Sequence, residues 1–125
     1  MNLTFVETQV FTARWHKRSN DDSLRDLQKM LLVNCRAGDS IPGCGILRKL
    51  RLPDPSRRKG KRGGLRVIYL YTPEASRVDL ITVYSKDERD DLSKSELAEL
   101  CELARNLRMQ LLANVRKSDP GLNRR

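Results

Sequence analysis

Aromatic side chains are scarce in this sequence. It has two Phe, three Tyr and one Trp among 125 residues, and a single histidine, His16. Hydrophobic residues still make up 38% of the chain, enough for one core. A domain of this length buries roughly two thirds of its unfolded surface without staples. Cysteine is also sparse: Cys35, Cys44 and Cys101 form an odd set with no paired spacing. That pattern predicts no disulfide framework. With His16 far in sequence from all three, it predicts no metal site either. Cys35 and Cys101 are expected in helical stretches, as core or surface fillers. No apolar run approaches the ~20 residues of a membrane span. Met1 to Val10 lacks the basic start and apolar stretch of a signal peptide. The expectation is a cytosolic protein with no membrane role.

Acids are missing from one stretch in particular. Between Arg36 and Arg66 there are ten basic residues: Arg36, Arg48, Lys49, Arg51, Arg57, Arg58, Lys59, Lys61, Arg62 and Arg66. Only Asp39 and Asp54 oppose them, so this quarter of the chain carries +8 of the net +9. Such a concentration attracts a polyanion and neutralises phosphates by counterion release. A solvated loop is the plainer reading, but solvated faces usually mix both signs. No glycine-lysine pair is followed by Ser or Thr, and Arg48 stands where a third glycine would complete GxGxxG after Gly43 and Gly45, so neither nucleotide-binding signature applies.

The chain order is legible in outline. Leu3 to Val10, with Phe5 and Val6, reads as a first strand, and Phe11 to Arg18 as a short helix. Asn20 or Asp21 can cap the next helix. Its stripe is Leu24, Leu27, Met30, Leu31 and Cys35, and Gly38 is expected to end it. Ile41-Pro42-Gly43-Cys44-Gly45 is a turn. Ile46 to Leu52 alternates, with Lys49 and Arg51 to one side and Leu50 and Leu52 to the other. A basic loop over Pro53 to Gly64 leads to strands at Leu65 to Tyr71 and Val78 to Ser85, separated by the turn Thr72-Pro73-Glu74-Ala75. Ser93-Lys94-Ser95-Glu96 is a capping box. It opens a helix whose stripe is Leu97, Leu100, Ala104, Leu107, Leu111 and Val115, and which reaches Lys117. The class is α+β, in the order strand, two helices, three strands, helix, with a small and mainly antiparallel sheet. One domain is expected over residues 1–117, with 118–125 as a loose tail.

Three runs carry a family likeness. They are Gly45-Ile46-Leu47-Arg48-Lys49-Leu50-Arg51, then Lys59-Gly60-Lys61-Arg62-Gly63-Gly64-Leu65-Arg66-Val67-Ile68-Tyr69, then Leu80-Ile81-Thr82-Val83-Tyr84-Ser85-Lys86-Asp87-Glu88-Arg89-Asp90-Asp91-Leu92. In this order they resemble the HigB-like branch of the RelE toxins, in the RelE/ParE superfamily of type II toxin-antitoxin systems. The likeness runs from Phe5 to the last helix. The stretch Pro53 to Arg58 lengthens the central loop, Cys35 replaces a frequent proline, and Gly45-Ile46 replaces a common double glycine. No candidate catalytic group is lost. The resemblance implies a compact RelE-like domain, monomeric when free, that cuts messenger RNA on the ribosome without metal or cofactor. Its implied partners are the ribosome, the mRNA and a helix-turn-helix antitoxin of the HigA type. Related ParE-like toxins act on DNA gyrase instead, and a passive RNA-binding module would need the same charge.

Metal-free RNA cleavage needs a base for the 2′-hydroxyl, donors for the phosphoryl oxygens and an acid for the leaving oxygen. His16 lies in the amino-terminal helical region, so lysine, arginine and tyrosine must serve. By resemblance Lys49 and Arg51 match the basic pair on the active-site strand. Arg66 matches the phosphate clamp, for which a guanidinium fork is suited. Lys86, or else Arg89, matches the basic residue after the last strand. Tyr84 is a candidate to stack on a base or to orient the substrate. Arg48, Arg57, Arg58, Lys59, Lys61 and Arg62 are the expected RNA-binding set. Tyr69 and Tyr71 read as ordinary strand residues. Glu88, Asp90 and Asp91 read as the acidic opening of the last helix, with a carboxylate base as the alternative.

Overall fold

The computed structural model describes residues 2–54 and 64–118. Within them the order is β1 (Thr4–Glu7), α1 (Gln9–Arg18), α2 (Asp21–Val33), β2 (Asp39–Ile41), β3 (Cys44–Leu52), β4 (Leu65–Thr72), a 3-10 turn (Pro73–Ala75), β5 (Arg77–Ser85) and α3 (Lys94–Ser118). The strands form one mixed sheet in the order β1-β5-β4-β3-β2. β1 runs parallel to β5, and the other neighbours are antiparallel. The α+β class and the meander of the three long strands are as the sequence predicts. α3 runs one residue past the expected domain end, and residues 119–125 lie outside the described residues.

Each helix starts where its side chains satisfy the free backbone N–H groups. Thr8 caps α1 by accepting from the Phe11 N–H at 3.0 Å, and its hydroxyl donates to the Ile81 carbonyl at 2.6 Å, fixing α1 against β5. Asn20 caps α2 through Ser23 N–H at 2.9 Å. The capping box of α3 closes in both directions: Glu96 N–H donates to Ser93 Oγ, and Ser93 N–H donates to Glu96 Oε1, each at 3.1 Å.

The sheet is covered on both faces. Phe11 and Trp15 of α1 and Leu27 and Leu31 of α2 pack on Leu50, Leu52, Leu65, Val67, Tyr69, Val78, Leu80 and Val83. On the other face Cys101 and Ala104 of α3 pack on Leu47, Ile68, Leu70, Ile81 and Tyr84. Cover on two faces explains why β4 and β5 are buried almost without a break, polar members such as Arg66 and Asp79 included, whereas burial along β3 alternates. Gly64 is forced by backbone contact: a Cβ there would stand 1.9 Å from the Leu52 carbonyl oxygen. The missing side chain lets this backbone lie against the neighbouring strand.

Three expectations need correction. α2 ends at Val33, before Cys35 and well before Gly38. The buried Tyr69 hydroxyl donates to the Cys35 carbonyl at 2.9 Å and accepts from the Gly38 N–H at 3.0 Å, which holds this segment in a non-helical turn. That turn feeds β2, a three-residue strand absent from the expected order, which pairs with β3 around Pro42 and Gly43. Lastly, Cys44 and Cys101 form a disulfide, with a Cα–Cα distance of 5.8 Å across a sequence separation of 57. The hairpin lays the start of β3 under α3, so two cysteines with no local spacing meet. Cys35 is free and buried.

Candidate active site at the open end of the sheet

Strand register assembles the site. Arg51 on β3 stands opposite Arg66 on β4, and Arg66 stands opposite Tyr84 on β5. Directly opposed residues share a face, so Arg51, Arg66 and Tyr84 form one row across three strands. Lys49, two residues before Arg51, lies on the same face. Nearer the middle of the sheet this face carries Leu47, Ile68 and Leu70 in the core beneath α3. From Leu47 through Lys49 to Arg51 the side chains pass from buried to exposed. The basic row therefore occupies the end of the sheet that α3 leaves open.

The members of the row differ in exposure. Arg66 is 3% exposed, and burial, followed by repulsion from Arg51, pulls its guanidinium below its ordinary value. It keeps its proton at any physiological pH, so it is a fixed cation held close to a second one. Arg51 is half-exposed and bonds Asp39 Oδ2 at 3.1 Å. Lys49 is partly exposed and faces Asp91, with Nζ 3.8 Å from Oδ1.

Tyr84 is 2% exposed. Its ring belongs to the core and carries the Arg89 guanidinium 5.6 Å from its centroid. So enclosed a ring offers no face to a base, which leaves the hydroxyl as its functional group. That hydroxyl donates to Asp91 Oδ1 at 3.2 Å. Burial, then the Asp91 charge and this hydrogen bond, push the phenol up to about 12, so it stays protonated at neutral pH.

Asp91 is the group that sequence reasoning undervalued. It precedes α3 by three residues and is no part of that helix. Its Oδ1 gathers the Tyr84 hydroxyl, Lys49 and the Leu92 N–H, the last at 2.8 Å. Burial works to raise its carboxyl, but the Leu92 N–H, Lys49, Tyr84 and Lys86 outweigh it and hold the group below its ordinary value. The signal was present in the run of acids after Tyr84, although nothing in the sequence singled out one of them. Glu88 instead pairs with Arg18.

Lys86 and Arg89 are separated by their partners. Arg89 is engaged by Glu96, with Nη1 2.9 Å from Oε2 and a second contact between Nη2 and Oε1. Lys86 is exposed, its backbone N–H anchored on the Gly64 carbonyl at 3.0 Å. It is therefore the better placed to meet a substrate. Arg48 faces the opposite side of the sheet from Lys49 and donates to the Gly38 carbonyl at 2.7 Å. Arg57, Arg58, Lys59, Lys61 and Arg62 lie outside the described residues. His16 is exposed on α1. Among the described residues no three His, Cys, Asp or Glu side chains stand together as a metal site would require. No helix among them is long and apolar enough to cross a membrane.

The architecture is a five-stranded mixed sheet between a helix pair and one long helix, with Arg51, Arg66 and Tyr84 in one row across three of its strands. No protein-family model matches the chain. Among solved structures it is similar to the isolated E. coli RelE toxin, with a TM-score of 0.52 and 16% sequence identity over 82% of this chain and 99% of that one. The chain has a RelE-like fold.

Proposed function

We propose that the chain is the toxin of a type II toxin-antitoxin module, of the HigB-like branch, and that it cuts messenger RNA on the ribosome. The Arg51–Arg66–Tyr84 row, with Lys49 and Lys86 at its margins, carries this reading. In the proposed reaction the RNA 2′-oxygen loses its proton and attacks the adjacent phosphorus. A 2′,3′-cyclic phosphate forms, the bond to the 5′-oxygen breaks, and that oxygen takes up a proton. Arg66 and Arg51 hold the phosphoryl oxygens and stabilise the charge gained in the transition state. Lys49, beside a carboxylate, and Lys86, exposed after β5, are the proton-transfer candidates. Tyr84 orients substrate through its hydroxyl, and Asp91 positions both Tyr84 and Lys49. No metal or cofactor takes part. The partners are the ribosome, mRNA and a HigA-like helix-turn-helix antitoxin. The free toxin is a monomer of the bacterial cytoplasm.

The test is Arg66→Ala and, separately, Lys86→Ala. Each variant is followed by thermal melt, ribosome co-sedimentation and cleavage of a translated message. Loss of one charge-stabilising donor typically costs ~2.7–4 kcal/mol, or about 10²–10³ in rate. Co-sedimentation should fall far less, since the other cations between Arg36 and Arg66 remain. Near wild-type cleavage by both variants refutes the site. A wild type that leaves RNA intact but blocks gyrase supercoiling replaces the reading with the ParE-like one.

A further inference from the structure

A second basic concavity lies at the far end of the same strands. It is a cleft of about 230 Å³ lined by Arg36, Arg48, Tyr71, Glu74 and Arg108 together with the start of β3. Each side chain comes from a different element: the turn after α2, β3, the end of β4, the 3-10 turn and α3. Tyr71 is five residues from Arg66 along β4, so the cleft stands ~16 Å from the basic row at ~3.3 Å per residue. It belongs to a separate site.

Its chemistry is that of an oxyanion receptor. Three guanidiniums face one carboxylate. The Arg36 guanidinium lies 5.0 Å from the centroid of the Tyr71 ring, an aromatic platform that fixes the plane of its donors. Arg48 is oriented by the Gly38 carbonyl at 2.7 Å and, more loosely, the Arg36 carbonyl at 3.4 Å. Arg108 reaches Glu74 only at 3.9 Å, beyond hydrogen-bond distance. Its fork is therefore not saturated by that carboxylate. β3 thus presents cations to both sides of the sheet, Lys49 and Arg51 to one and Arg48 to the other.

We infer that this cleft binds a backbone phosphate of an RNA strand, giving the molecule a second, non-catalytic RNA contact. The inference rests on reading the chain as an RNA-directed toxin, but its test needs no cleavage. Planar guanidinium forks match phosphate oxygens bidentately. Two phosphate sites ~16 Å apart would fix the orientation of the protein on a folded RNA while the basic row holds the scissile bond. Contacts of this kind position without reading sequence.

The experiment measures affinity for a fluorescent single-stranded RNA oligonucleotide against salt concentration. It compares wild type, Arg36→Ala, Arg108→Ala, the double variant and, as control, Arg25→Ala on the exposed face of α2. Each lost phosphate contact on a single strand removes ~0.7 from the salt slope. The double variant, which removes the one phosphate contact, should lose about 0.7, each single variant less than that, and the control nothing, with thermal melts verifying the folded state. In parallel, the Arg36 and Arg108 side-chain N–H resonances are followed by NMR. They should shift with the RNA, and in the same direction but more weakly with inorganic phosphate. An unchanged slope in folded variants overturns the inference. So does a shift with inorganic phosphate but none with RNA, which would assign the cleft to a free anion. A shift with polyglutamate alone overturns it in favour of an acidic protein partner. A wild type that never cuts RNA, with the slope changing as expected, removes the proposed reaction and leaves the cleft assignment standing.

Discussion

Replacing Asp91 by asparagine removes a charge and keeps a shape. The asparagine Oδ1 can still accept from the Tyr84 hydroxyl and the Leu92 N–H, so the change isolates the electrostatic part of the arrangement. The Tyr84 phenol stands at about 12 against an ordinary 10.0, with burial the largest cause and the Asp91 charge next. Asp91→Asn should therefore bring the phenol down from about 12 but leave it above 10.0, because the burial remains. The stability cost is small. The Lys49–Asp91 pair is 3.8 Å apart, with the Asp91 side chain 65% exposed, and pairs of this kind contribute at most ~1 kcal/mol. At ~2.1 cal/mol/K per residue of unfolding entropy, 1 kcal/mol in a chain of 125 residues shifts the melting temperature by about 4 °C. Cleavage should fall by roughly tenfold, or ~1.4 kcal/mol, because Lys49 loses the carboxylate facing it. The phenol is followed by NMR titration of tyrosine labelled at the ζ carbon, with Tyr84→Phe assigning the resonance. An unchanged Tyr84 midpoint, or a loss of more than ~10 °C in melting temperature, refutes the positioning role.

Three further outcomes are expected. Reducing the Cys44–Cys101 disulfide releases a 57-residue closure, which chain entropy values at up to about 4 kcal/mol. Melts with and without a phosphine reductant should differ by up to ~15 °C, and coincident melts would mean that α3 is held by packing alone. Glu96 is held down to about 2 from 4.5 by Arg89 and the Ser93 N–H. Its stabilisation of the α3 capping box is complete above about 4.5 and lost as pH falls through about 2. The stability difference between wild type and Glu96→Gln should thus be constant at neutral pH and shrink between those values, and a difference independent of pH contradicts the assignment. Cleavage should persist when EDTA is added after ribosome binding, and activity restored only by zinc or manganese would reverse the metal-free mechanism.

The parts of the fold legible in the sequence are those with local causes. Ser93 and Glu96 specify the start of α3 by themselves, and the alternation of Lys49 to Leu52 gives the two sides of β3. What escaped depends on partners distant in the chain. Asp39–Ile41 is too short to show a period, and it becomes a strand because β3 lies beside it. Cys35 and Gly38 look like helix end and helix stop, but the Tyr69 hydroxyl, more than thirty residues away, decides their conformation. The cysteine pair follows from the same hairpin. The sequence points to Lys49 and Arg51 on one strand and Arg66 on the next as a group of cations. That Arg51, Arg66 and Tyr84 form one row is a property of register, which spacing alone does not fix. Asp91 lay among four neighbouring acids, and only the fold brings it to Tyr84 and Lys49.

The central claim is that this basic row cuts RNA at the ribosome. The direct measurement is primer extension on a defined message, translated by purified ribosomes with and without the purified protein, and repeated with Arg66→Ala. The account predicts new 5′ ends inside the translated frame, dependent on ribosomes, insensitive to EDTA added after binding, and reduced by about 10²–10³ in Arg66→Ala. An intact message under conditions where the wild-type protein is folded and ribosome-bound would contradict it.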